Sequence, residues 1–248
     1  MTYCLGIQTH QGLVMASDSR TNAGMDLVNV CRKMHLFVHD GERVFIILAS
    51  GSLSITQSVI TLLRRDFDQG RGLATAATFY DAARVVGEQV RRVADMDREA
   101  LRRDKISFNV NLLLGGQIAG EPPNLYLIYP QGNPIQATED SPYLQIGESK
   151  YGRPILDRAV RYRLTTLDEA VKFALISIDS TMRSNVTVGP PIDLVVYQNN
   201  ELRIRRYRRF TAKDPDLQRI QLQWEHSLRK AALDLPDVIF EESSEQVI

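Results

Sequence analysis

The sequence predicts an α+β protein, a four-layer αββα sandwich of two stacked antiparallel sheets with helices on both outer faces. Three observations predict it. The elements come in blocks, β-rich, two helices, β-rich, two helices and a hairpin, without the strict βαβ alternation of a parallel doubly wound sheet. Each helical stretch carries one apolar stripe and one charged face, so it has a single face to bury. The strand-like runs are short and bounded by Gly, Pro and Asn turn signals.

The chain opens with apolar runs at 3–8 and 13–18 around His10-Gln11-Gly12, a hairpin with Gly supplying the turn. A second hairpin joins 30–38 to 44–49 through Asp40-Gly41, a pair that favours a type I′ turn. Ser52 is the expected N-cap of a helix over 53–66 that places Ile55, Val59, Leu62 and Leu63 on one face. Thr78 and Asp81 stand at capping-box spacing and open a longer helix, with Phe79, Ala82, Val86, Val90 and Val93 in its stripe. Strands return at 108–117, 125–129 and 143–146. Helices follow at 151–161 and after the Thr166 and Glu169 capping box, where Leu167, Val171, Ala174, Leu175, Ile178 and Met182 form the stripe. A last hairpin pairs 192–197 with 202–207 across Asn199-Asn200. Residues 2–210 are read as one domain and 211–248 as an appended helix with an acidic tail. That helix starts at Asp214-Pro215 and presents Leu217, Ile220, Trp224 and Leu228 on one face.

Composition narrows the function. Lys plus Arg equals Asp plus Glu at 30 each, so no global field draws the chain to nucleic acid or anionic lipid. The Arg203, Arg205, Arg206, Arg208 and Arg209 cluster is read as the solvent face of an edge strand or a subunit contact, not as a nucleic-acid site. The longest apolar runs fall far short of the roughly 20 residues that span a membrane, and no secretory signal is visible. Cys4 and Cys31 lack metal-ligand or CxxC spacing and read as reduced thiols of a cytoplasmic protein. The four histidines have no ligand spacing, so neither a metal nor a cofactor is expected.

The chemistry-bearing run is Met-Thr-Tyr-Cys-Leu-Gly at the start, then Gly12 to Gly24 containing Ala-Ser-Asp18-Ser-Arg20, then Arg32-Lys33-Met34. It resembles the proteasome β-subunit and its bacterial relatives, most of all the Anbu group of N-terminal-nucleophile hydrolases, over roughly residues 2–210. The resemblance implies that Thr2 is the nucleophile once Met1 is removed, its own α-amine acting as base near an unperturbed pKa of about 7.7 to 8.0. Lys33 would lower the pKa of the hydroxyl and Asp18 would hold the lysine. The Ser50 amide in 48–52 would supply the oxyanion hole, and Thr21, Cys31, Leu48 and Ser52 would line a small to medium specificity pocket with no charge at its base.

The supporting shell departs from the family pattern. Ile146-Gly147-Glu148-Ser149 stands where Gly-Ser-Gly is usual, leaving Ser149 or Glu148 as the helper beside the amine. Ser184 and Thr187 keep hydroxyls where the usual carboxylate is lost. The expected function is a threonine-type peptidase acting on peptide or protein substrate inside a ring-like or helical homo-oligomer. The alternatives are a nonpeptidase amidohydrolase on the same fold and a weakly active assembly subunit.

Overall fold

The computed structural model describes residues 2–22 and 28–240, so Met1 and its removal, Gly24 and the acidic tail from Glu241 lie outside the described residues. The strands are β1 (Tyr3–Thr9), β2 (Gly12–Asp18), β3 (Arg20–Asn22), β4 (Val28–Val30), β5 (Met34–His39), β6 (Arg43–Gly51), β7 (Val110–Ile118), β8 (Asn124–Ile128), β9 (Pro134–Gln136), β10 (Tyr143–Gly147), β11 (Ile192–Gln198) and β12 (Arg206–Phe210). The helices are α1 (Leu53–Asp68), α2 (Phe79–Arg103), α3 (Arg153–Ala159), α4 (Leu167–Ser184) and α5 (Pro215–Leu233).

Two five-stranded antiparallel sheets, ordered β10-β1-β2-β11-β12 and β5-β6-β7-β8-β9, stack face to face, and β3 and β4 form a separate ribbon. Three apolar clusters divide the four layers. Leu13, Met15, Ile46, Leu48, Leu113 and Val195 fill the space between the sheets. Phe45, Ile47 and Ala49 of β6 pack under α1 and α2, and Val14, Ala16 and Leu194 pack under α3 and α4. The predicted αββα sandwich is the fold observed. Every residue of β2 is buried because its alternate side chains enter two different clusters, which is why it reads as an unbroken apolar run.

Both expected capping boxes form. The Thr78 hydroxyl accepts the Asp81 N–H at 3.1 Å while the Asp81 carboxylate accepts the Thr78 N–H at 3.1 Å. Thr166 and Glu169 exchange the same bonds at 3.2 and 2.9 Å. Each box satisfies orphan donors at a helix start and contributes about 1 kcal/mol. α5 is capped by Asp214, which accepts the Asp216 and Leu217 N–H groups, and it joins the core through Leu217 and Ile220.

Local structure differs from the sequence reading in five places. The first hairpin loop is His10-Gln11, with Gly12 already in β2 opposite Thr9. His39 pairs with Arg43, so the second loop has three residues, closed by a Glu42 N–H to His39 carbonyl bond, and not the two of a type I′ turn. The strand expected over 30–38 is interrupted at residues 31–33, and the last strand starts at Arg206 instead of residue 202. Ser52 occupies the N-cap position of α1, but its hydroxyl faces the Ser54 hydroxyl and makes no capping bond.

The arginines of β12 are internally matched: Arg206 with Asp168, Arg208 with Asp214 and Asp216, and Arg209 with Asp193. Among the described residues no helix is long and apolar enough to cross a membrane.

Candidate active site

Thr2 sits at the mouth of the sandwich, immediately before β1. Its carbonyl accepts the Glu148 N–H at 2.7 Å. This grip requires glycine at position 147: a Cβ there would lie 1.9 Å from the Thr2 oxygen, and Gly147 has φ of +87°. Tyr3, the next residue, donates its N–H to Asp18 Oδ1 at 3.0 Å. The peptide unit joining Thr2 to Tyr3 is therefore held through its carbonyl by the Glu148 backbone and through its N–H by the Asp18 carboxylate.

The same Asp18 oxygen accepts Lys33 Nζ at 2.6 Å, and its other oxygen accepts the N–H groups of Arg20 and Gly189, both at 3.2 Å. Asp18 is fully buried and the Lys33 side chain is only 8% exposed. Burial is the largest influence on Asp18 and pushes its carboxyl up, while Lys33 and the backbone N–H groups pull it down. The bonding settles its state. Among the described residues each hydrogen-bond partner of Asp18 is a donor, leaving nowhere for a carboxylic proton to point, so Asp18 is ionised.

Lys33 is set by the break in the β4 to β5 stretch. Its carbonyl accepts the Ala49 N–H at 3.0 Å, and Nζ donates a second bond to the Arg20 carbonyl at 2.7 Å. An ammonium has three N–H groups, so one remains. Lys33 and Thr2 line the same cleft, of about 400 Å³, together with Thr21, Cys31, Ser50 and Gly51. A second arm of about 390 Å³ shares Thr2, Thr21, Ser50 and Gly51 and continues past Asn109, Asn111 and Gly147.

Strand parity decides what each β6 residue offers. Ser52 N–H donates to the Asn109 carbonyl, and Ser50 lies opposite Asn111. In an antiparallel ladder N–H groups alternate between neighbours. The Ser50 N–H is therefore turned toward β7, whereas the Gly51 N–H is turned the other way, to the edge where Ala49 already meets Lys33. The amide facing the cleft is that of Gly51, one residue beyond the expected Ser50. Gly51 has φ of +117°, and a Cβ there would meet the Asn109 oxygen at 2.3 Å.

The same parity separates the expected pocket residues. Thr21 and Cys31 line the cleft, but Leu48 is fully buried between the sheets and Ser52 does not reach the lining. His35, Leu53 and Gln57 line it instead. Counting alternate residues from Lys33 and from Ala49, and helical turns from Leu53, would have found them.

In the supporting shell, the Asn185 side chain joins two expected residues. It donates to the Glu148 carboxylate at 3.3 Å and accepts the Thr187 hydroxyl at 2.6 Å and the Thr187 N–H at 3.0 Å. Asn185 is the C-cap of α4 and had no distinguishing sequence signal. Ser184 is exposed at the end of α4, and the Ser149 carbonyl accepts the Arg153 N–H where α3 begins.

A sandwich of this layering, with a threonine leading its first strand into a cleft beside a buried lysine, defines the N-terminal-nucleophile hydrolase fold. The model of the proteasome subunit family matches residues 2–197, and the chain belongs to that family. Its solved relatives include Anbu proteins. A Gly-1 mutant of Anbu from Hyphomicrobium sp. strain MC1 is 43% identical, with TM-score 0.90, covering 97% of this chain and 100% of that one. Anbu (ancestral beta-subunit) from Yersinia bercovieri is 44% identical with the same TM-score and coverage. A structure described as the helical assembly of the Anbu complex from Pseudomonas aeruginosa is 44% identical, TM-score 0.90, covering 96% of this chain and 98% of that one. No curated protein matches the chain.

Proposed function

We propose that the chain is a threonine peptidase in which Thr2, with Met1 removed, attacks a peptide carbonyl. The observation that carries the reading is the convergence of Thr2, Lys33 and the outward Gly51 N–H on one cleft, with Asp18 tying Lys33 to the residue after Thr2. The Thr2 hydroxyl oxygen bonds to the carbonyl carbon and its proton passes to the free α-amine. The resulting oxyanion accepts from Gly51 N–H. The carbon–nitrogen bond then breaks, the departing amine takes the proton from the α-ammonium, and water hydrolyses the ester left on Thr2. The remaining Lys33 N–H stabilises the oxygen of Thr2 as it loses its proton. Glu148, held by Asn185, stands for the helper group near the amine, with Thr187 ordering Asn185; Ser149 and Ser184 carry less of the reading.

The protein works as a homo-oligomer in this proposal. The assembly of the Pseudomonas aeruginosa relative supports it, as do the apolar side chains that α5 and the following residues leave exposed, among them Leu228, Leu233, Ile239 and Phe240. The test is Thr2→Ala in the processed, assembled protein. Hydrolysis of a fluorogenic peptide should fall by roughly 10³-fold or more, and intact mass should show the parent without Met1. Parent-like turnover by Thr2→Ala ends the assignment.

A further inference from the structure

The two arms of the cleft differ in charge. Among the described residues, the arm over α1 carries Arg32, Lys33 and His35 in its lining and no carboxylate. Two Lys33 N–H groups go to Asp18 and the Arg20 carbonyl and the third is assigned to the Thr2 oxygen, which leaves Arg32 at the exposed rim and the half-buried His35 to meet the side chain that enters. Burial, and then the positive charges of Arg64 and Arg32, bring the His35 pKa down to about 4. The imidazole is therefore neutral at neutral pH, a hydrogen-bonding group in a positive field. Thr21 and Gln57 add polar wall, while Ala49 and Leu53 supply the apolar surface that a short aliphatic stem would cover.

We propose that this arm takes an acidic side chain, that of a glutamate or aspartate whose carbonyl is presented to Thr2, with Arg32 and His35 as its recognition groups. The assignment deepens the peptidase reading and rests on it. A carboxylate gains charge-assisted bonds from both groups. A lysine or arginine side chain would meet like charge from Arg32 and Arg64. A leucine would desolvate His35 and Gln57 without returning a hydrogen bond.

The test uses the full-length assembled Thr2→Ala protein and acetylated tripeptide amides ending in Glu, Gln, Leu or Lys, with affinities measured by calorimetry. The Glu peptide should bind at least tenfold more tightly than the Leu and Lys peptides. Arg32→Ala and the conservative His35→Gln should each remove most of that advantage while leaving the Leu peptide unchanged. Equal or tighter binding of Leu or Lys, no binding of any peptide, or a Glu preference indifferent to both substitutions overturns the proposal. A parallel measurement separates this failure from that of the nucleophile. Parent protein is treated with peptide epoxyketones bearing Glu or Leu at the same position, and adducts at Thr2 are mapped by mass. Faster labelling by the Glu reagent supports both readings. Faster labelling by the Leu reagent sinks the acidic pocket and keeps the nucleophile. No adduct alongside a persistent Glu preference in binding sinks the nucleophile and keeps the pocket.

Discussion

Two fully buried carboxylates lie almost side by side on adjacent strands: Asp18 opposite Ile192, and Asp193 opposite Ser17. Asp18 is held by three backbone N–H groups and by a lysine that opens onto the cleft. Asp193 is held entirely by side chains: Arg209 at 2.6 and 2.8 Å, the Tyr207 hydroxyl at 2.5 Å and the Ser19 hydroxyl at 3.3 Å. Burial and ion pairing are common to both, so neither property marks a site. What differs is spare bonding capacity that faces solvent. Among the described residues, Lys33 keeps one N–H free in the lining of the cleft that Thr2 shares, whereas the Asp193 network bonds β11 to β12 and to Ser19.

The largest expected effect comes from breaking the first carboxylate's pair. Lys33→Met fills similar volume but leaves Asp18 without its cation. Stability in denaturant titration should fall by about 3–5 kcal/mol, and turnover of the protein that remains folded should fall by roughly 10³-fold. Retained turnover would make the two carboxylates equivalent. Asp193→Asn should cost about 3 kcal/mol, because Arg209 is left partly buried without its partner, while kcat of the folded fraction stays within a few-fold of the parent. A loss of kcat with little loss of stability would reverse the roles assigned to the two networks.

His35, in the arm of the cleft over α1, is probed by pH. Its folded pKa is about 4, against 6.5 without the fold, so the native state binds fewer protons between those values. Its contribution is therefore fully present above pH 6.5, declines as pH falls toward 4, and is constant below. The slope integrates to at most about 3 kcal/mol, and His35→Gln should flatten the stability–pH curve in that window. The smallest effect belongs to the surface pairs. Arg208→Ala, at a side chain 46% exposed, should move the melting midpoint by no more than about 2 °C. A larger shift would mean that β12 and the start of α5 are held by charge to a degree the buried networks alone do not suggest.

Much of this was legible in the sequence, for physical reasons. Capping boxes at Thr78 and Thr166 and stripes such as Phe79 to Val93 are local, so composition and spacing expose them. Thr2, Asp18 and Lys33 lie within the first 33 residues in a recognisable run, and the structure brings Asp18 and Lys33 together. The misses are of two kinds. Leu48 and the Ser50 amide were off by one residue on a single strand, and a strand shifted by one turns every group to its opposite side. Ala49, Gly51 and, through the next turn, Leu53 and Gln57 were the right neighbours. Asn185 was missed for a different reason. Its role comes from a chain reversal that brings it to Glu148, 37 positions away, and no periodic pattern encodes that meeting.

Asp18 also reaches Gly189, 171 positions along the chain. Its four donors come from β1, the first residue of β3, the residue before β5 and the turn into β11. A chain still emerging from the ribosome, or one truncated before residue 189, lacks part of the clasp that fixes Lys33 beside Thr2. Completion of the fold thus acts as a safety catch: the group proposed to cut other polypeptides is braced in full only after nearly the whole of its own chain has been made and has closed upon itself.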